Sequence, residues 1–283
     1  MEMGGLIIGI ASSVVATLLT SFSWYCYNHF QNRDRLLIFL GMKNENNLSI
    51  CYGNVQSGPS DLYQSPLNTT LPVTSFDYGD IDATLIVYNR ISTKFRGKIQ
   101  HYSNNIPDVM NSGNIIAIGG PKWNKATETL LGKVGSPFYY FKGVEGLIER
   151  RSSHHSENIH KYSIKNNEED RSVEIADFGI IVCARHSYLG SKLPFAMIVS
   201  GYSTFGVLIA ARYLNEISDD DFQKLKMTIK QDKRFCILVK GSVKIDEKGK
   251  YLGSISTELL SWIHDQDFHP PYDYKYDKPF NVV

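Results

Sequence analysis

The chain has 283 residues, and 30 Lys and Arg against 29 Asp and Glu leave a formal net charge of +1. A strongly basic nucleic-acid coat and an acidic solvating tail are excluded, because neither has the one-sided field it would need. With 42% hydrophobic and 12% aromatic residues, disorder of the whole chain is excluded as well.

The charge is unevenly spread, and no charged residue lies between Glu2 and Arg33. Within that stretch, Gly4 to Tyr27 is long enough to cross a hydrocarbon core of about 30 Å as a helix. Trp24, Tyr25 and Tyr27 gather at one end, where amphipathic rings prefer the interface. Arg33 and Arg35 follow, and the N-terminal flank has no Lys or Arg. The positive-inside bias therefore predicts a single-pass anchor with the N-terminus outside and the rest cytoplasmic. A cleaved signal peptide is disfavoured, because Met1-Glu2-Met3 is not basic and bulky Trp24-Tyr25 stand where small residues would be wanted. Cys26, Cys51, Cys183 and Cys236 are scattered, with no CxxC pair, as expected of reduced thiols in a core.

Beyond the anchor, Arg35 to Gly41 reads as a short strand and Gln56 to Ser75 as a long loop. Asp80 to Ile91 has helical spacing, with Asp80 as the expected N-cap and Gly97 closing the element. Lys98 to Tyr102 is a short strand. Asn114 to Ile118 is a strong one, leading through Gly119-Gly120-Pro121 into a helix from about Trp123 to Leu131. Phe138 to Phe141, Leu147 to Arg150 and Lys161 to Ile164 read as a meander around a polar, His-rich loop. Glu174 to Ala184 and Phe195 to Gly201 are apolar strands. The second leads through Tyr202-Ser203-Thr204 to a helix, Phe205 to Leu214. A further helix starts at Asp219, and Phe235 to Val243 is the last strong strand, with Tyr251 to Ile255 as its hairpin partner. Apolar strands alternating with helices predict a mostly parallel sheet covered on both faces, with an antiparallel section. His269 to Phe280 has no period and reads as an extended aromatic tail.

Two loops have the place and composition of a ligand site. Gly119-Gly120-Pro121-Lys122-Trp123-Asn124 joins the end of a strand to a helix, where open α/β sheets bind ligands and free N–H groups face an anion. Gly119 and Gly120 allow close approach, and Asn124 either caps the helix or binds the ligand. Gly201 to Gly206 repeats the arrangement, with Ser203 and Thr204 hydroxyls suited to phosphate or ribose or, equally, to helix capping. Neither loop carries GxGxxG or GK[ST]. Glu128, four residues after Asn124, is the one carboxylate placed to serve as the catalytic group of an N-glycosidase; the alternative is an exposed helix-face Glu. His154, His155, Glu157 and His160 lack the spacing of a metal site, and no metal or cofactor is called for. Asp177-Phe178-Gly179 matches a kinase triplet in letters only.

The order Gly119-Gly120-Pro121-Lys122-Trp123-Asn124, Asp177-Phe178-Gly179, then Gly201 to Gly206 with Ala210-Ala211, resembles a group of bacterial Rossmann-like domains. Their motifs read GGPxxN, DYG and G…GTxAA. The likeness spans about Arg35 to Val243 and departs at Val207, where the group has Thr. A fainter one is to TIR and nucleoside deoxyribosyltransferase-like folds, whose catalytic Glu would correspond to Glu128. The resemblance implies a Rossmann-like fold, and with the readings above the chain divides into an anchor over 1–33, an α/β domain over 34–260 and a tail over 261–283. The expected function is a membrane-tethered sensor or effector in signalling or defence that binds a nucleotide-like molecule and forms homo-oligomers, with nucleic acid not the main partner. An N-glycosidase acting on NAD or a nucleoside, and a non-enzymatic protein-interaction domain, are the alternatives.

Overall fold

The computed structural model describes residues 17–23, 47–53, 63–64, 70–71, 74–93, 95, 97–103, 113–121, 124–140, 146–151, 157–167, 169, 171–185, 195–229, 234–246 and 251–268. In chain order the elements are β1 (Leu48–Tyr52), β2 (Tyr63–Gln64), β3 (Thr70–Leu71), α1 (Thr74–Ser92), β4 (Ile99–Ser103), β5 (Asn114–Ile118) and α2 (Lys125–Val134). The middle is built of β6 (Phe138–Tyr140), β7 (Gly146–Arg150), β8 (Glu157–Lys161), β9 (Ser163–Asn167) and β10 (Ser172–Arg185). Then come β11 (Phe195–Gly201), α3 (Thr204–Glu216), α4 (Asp219–Ile229), β12 (Arg234–Asp246), β13 (Tyr251–His264) and a single 3₁₀ turn, Asp265–Asp267.

The main sheet is mixed, in the order β13-β12-β10-β11-β5-β1-β4, with β9 also paired to β10. β4, β1, β5 and β11 run parallel, and β10 is antiparallel to β11, β12 and β9. The antiparallel share is larger than expected, because the last strong strand and its partner extend the sheet as a long hairpin. β5 and β11 are buried at every position, as central strands covered on both faces must be. β12 is buried throughout its first half and alternates in its second, so one face of the hairpin's far end meets solvent.

One face of the sheet carries α1 and α3. Ala83, Val87 and Ile91 of α1 join Val207, Ile209, Ala210 and Leu214 of α3 over Ile116, Ile181 and Val199. On the other face, Ala126, Leu130, Leu131 and Val134 of α2 lie with Phe138 and Leu147 over Ile115, Ile198, Ile180 and Leu238. β6, β7 and β8 form the expected meander, as a sheet of its own. Its third strand stops at Lys161, and the chain restarts at Ser163 as β9 on the main sheet.

Three boundaries differ from the expectation. α1 begins at Thr74, so Asp80 lies within the helix and is not its N-cap. β1 takes the first place in the parallel set; the strand expected at Arg35 to Gly41 lies outside the described residues. β13 continues to His264, and Ile263 and Phe268 are core residues, so the body extends past residue 260. Of the expected membrane span, residues 17–23 are described; they are helical, with Leu18, Leu19 and Phe22 exposed. Among the described residues, no helix is long and apolar enough to cross a membrane. Cys51, Cys183 and Cys236 are free and buried.

Candidate functional site

β1 connects through α1 on one face, whereas its neighbour β5 connects through α2 on the opposite face. Between their carboxyl ends the connections diverge, the place where open α/β sheets form a ligand crevice. Tyr52 and Gly53, Gly119 to Pro121, Asn124 and the N-terminus of α3 surround this point. Gly119 has φ of +113°, a conformation in which a side chain would be strained. A methyl group there would also lie 2.9 Å from Asp80 Oδ2. At Gly120 it would meet nothing within 4 Å, so this residue borders open space.

Asn124 is 1% exposed and acts as a staple. Its Nδ2 donates to Cys51 O at 3.0 Å and to Ile118 O at 2.8 Å, tying the ends of β1 and β5 together. Its Oδ1 accepts from Ala126 N at 2.9 Å and from Thr127 N at 3.4 Å as the N-cap of α2. Both amide protons and the carbonyl are thereby used within the protein. The Thr127 hydroxyl donates to Gly119 O at 3.0 Å and holds the loop from the helix side. On the other side, Thr204 Oγ1 donates to Asp80 Oδ1 at 3.0 Å. Asp80 is thus a buried carboxylate beside Gly119, brought there from α1.

The second glycine loop is filled by the protein itself. Gly179 pairs with Gly201 across β10 and β11, and α3 settles onto this pair. A methyl group on Gly201 would lie 2.3 Å from the carbonyl carbon of Gly206, and one on Gly206 would lie 2.3 Å from Phe178 O. Asp177, fully buried beneath the start of α3, accepts from Phe178 N at 2.7 Å, Ser203 N at 3.2 Å and Ser203 Oγ at 2.6 Å. The Gly206 N–H also reaches it. Ser203 Oγ in turn accepts from Phe205 N at 3.1 Å as the N-cap. Burial raises the Asp177 carboxyl to about 6, despite hydrogen bonds that favour its charged form.

The expected site residues therefore separate. Gly119, Gly120 and Asn124 share the crevice between β1 and β5, and Thr204 reaches it through Asp80. Gly201 and Ser203 serve the seat of α3. Glu128 lies on the flank of α2 away from the buried positions Ala126, Thr127, Leu130 and Leu131, ion-paired to Lys125. The sequence presents Asp80 as a helix cap and Asp177 within the Asp177-Phe178-Gly179 motif, with no site role for either. Of the His-rich segment, His160 lies among the described residues and pairs with Glu149 at 2.7 Å. Among the described residues no group of three or more His, Cys, Asp or Glu could hold a metal. Burial pushes the Cys51 thiol, at the end of β1, up to about 12, and raises Cys183 and Cys236 too, so none of the three supplies a thiolate nucleophile at neutral pH. No protein-family model matches the chain, and no curated protein matches it.

Proposed function

We propose that the chain is a membrane-tethered cytoplasmic sensor or effector whose Rossmann-like domain binds a nucleotide-like small molecule at the divergence of β1 and β5. The observation that carries this reading is the open space at Gly120, at the switch point and one residue from the carboxylate beside Gly119. In this reading Gly119 and Gly120 let the ligand approach the backbone, and Asp80 accepts from ribose-type hydroxyls. Asn124 and Thr204 hold the loop and the carboxylate in place. Tethering is supported by the uncharged Gly4 to Tyr27 segment and by Leu18, Leu19 and Phe22, each more than 60% exposed on their helix. Ser, Thr and Gly in that segment suit close helix packing, and with it homo-oligomers that relay binding in signalling or defence.

The test is the thermal stability of the full chain in detergent across a panel of nucleotides, cyclic species included. A ligand at about 100 times its Kd adds about 2.7 kcal/mol to stability. The expected result is a rise with one member of the panel that Asp80→Asn abolishes. A flat response across the panel sinks the reading. A reporter fused after Val283 tests the topology, and an extracellular signal overturns it. The outward, ion-paired position of Glu128 gives the N-glycosidase alternative no support.

A further inference from the structure

A second site stands apart from the crevice, under the β6–β8 meander. Glu149 on β7 is directly opposite Phe138 on β6 and Asn158 on β8, and His160 is one diagonal step away on the same face. Alternation also puts Arg151 on the face of Glu149. The Glu149 side chain is only 5% exposed, and both its oxygens are used. Arg151 Nε donates to Oε1 at 2.6 Å, and His160 Nε2 lies 2.7 Å from Oε2. The His160 ring is held between Phe178, with centroids 5.3 Å apart, and Phe138, at 6.1 Å.

Burial alone would drive the Glu149 carboxyl up, but the hydrogen bonds and charge of His160 and Arg151 outweigh it and leave it lowered. An ionised Glu149 fixes the His160 tautomer: Nε2–H donates to the carboxylate, and Nδ1 points elsewhere. Nδ1 of His160 and both terminal nitrogens of Arg151 have no partner among the described residues. The two side chains keep 20% and 27% exposure, so solvent reaches them. One buried carboxylate thus orients a guanidinium and an imidazole and leaves their outer nitrogens unspent. A planar guanidinium held by its Nε presents its Nη pair as a fork matched to two oxygens of an oxyanion.

We propose that Arg151 and His160, positioned by Glu149, form a binding site for a phosphoryl or carboxylate oxyanion. The Nη pair of Arg151 takes two oxygens, and His160 donates from Nδ1 after taking up a proton. Glu149 of β7 and Arg151 just after it bring charge beside this imidazole, Phe138 and Phe178 pack on it without charge, and Cys236 of β12 lies near Glu149 and Arg151. Burial keeps Cys236 neutral, so it adds no charge to the site. This site is independent of the crevice, and neither reading depends on the other.

The experiment is a titration of the full chain, labelled with ¹⁵N in its histidine rings, with inorganic phosphate and in parallel with acetate at constant ionic strength. The expected result is a saturable shift of one ring toward the doubly protonated pattern, missing in His160→Gln. Arg151→Gln is expected to weaken that response about tenfold, the worth of a charge-assisted pair. The stronger of the two titrants identifies the oxyanion class. If Arg151→Gln fails to fold, Arg151→Lys is read instead: it keeps the charge but cannot grip Glu149 and an oxyanion together, so affinity drops severalfold. No saturable ring shift with either anion in the wild-type chain overturns the proposal, as does unchanged affinity in the Arg151 variant that folds.

Discussion

A methyl group added to Gly206 would lie 2.3 Å from Phe178 O, whereas one added to Gly120 would meet nothing within 4 Å. Gly120 sits in the connection that follows one fully buried parallel strand, and Gly206 in the first turn of the helix that follows another. In the β11–α3 connection, the space left by the missing side chains is filled by the protein's own backbone. Gly179, Gly201 and Gly206 let α3 press onto the sheet, and Asp177 takes up the N–H groups of the helix start. In the β5–α2 connection Asn124 and Thr127 tie down the loop from beneath, and Gly120 borders open space. The same residue type in the same kind of loop thus serves packing in one place and access in the other.

The largest expected effect comes from closing the packed loop. Gly206→Ala forces carbon onto the Phe178 carbonyl and within 2.9 Å of Asp177 Oδ2, and neither is the far end of a flexible side chain. A loss of about 3 kcal/mol or more in chemical denaturation is expected, since backbone must move to relieve it. A loss within 1 kcal/mol would mean that α3 does not sit this closely.

Asp177→Asn comes next, at about 2 kcal/mol, because an amide cannot accept all the hydrogen bonds that converge on the carboxylate. It also changes the pH dependence. Burial lifts Asp177 from 3.8 to about 6, so between those values the folded chain holds a proton that the unfolded chain releases. Its contribution to stability is full below about pH 4 and lost as pH rises through about 6. The Asn variant lacks that slope, so the difference between the two proteins, followed by denaturation from pH 4 to 7, is the measurement. A difference independent of pH would show that the carboxyl does not titrate there.

The contrast between the loops explains what could be read from the residues alone. β5 and β11 match the expected Asn114 to Ile118 and Phe195 to Gly201, because a strand buried on both faces is written as an unbroken apolar run. Both glycine loops could be located for the same reason. Which of them is open could not, since the groups that fill the second, Phe178 and Asp177, come from another strand, β10, through its pairing with β11. β1 escaped notice because Ser49 interrupts its five residues, and its role depends on pairing with β4 and β5. Asp80 looked like a cap because an Asp opened the apolar pattern; the helix begins at Thr74 and turns that carboxylate toward Thr204. The cluster at Glu149 was hidden by register. The histidines drew attention to their own segment, while the partner that orients His160 lies across the hairpin.

Thr204→Val probes the link between the two loops and is expected to cost about 1 kcal/mol. It removes one hydroxyl donor from Asp80 Oδ1 while keeping the shape of the side chain. If a ligand uses Asp80, the same change weakens its binding by more than the stability loss suggests, because the carboxylate is no longer aimed. Equal losses in stability and binding would assign the hydroxyl a packing role only.

The smallest effect on stability is the sharpest test of the comparison. Gly120→Ala adds a methyl group into open space at a residue that, unlike Gly119, has no positive φ. Stability is therefore expected to stay within about 0.5 kcal/mol of wild type. Binding of whichever nucleotide raises the melting temperature should nevertheless fall, because the methyl group occupies the volume through which a ligand reaches the backbone between β5 and α2. The two loops then give opposite results for one chemical change: alanine at Gly206 damages the fold, and alanine at Gly120 damages only binding. A Gly120→Ala protein as stable as wild type that still binds the nucleotide unchanged would move the ligand away from the divergence of β1 and β5.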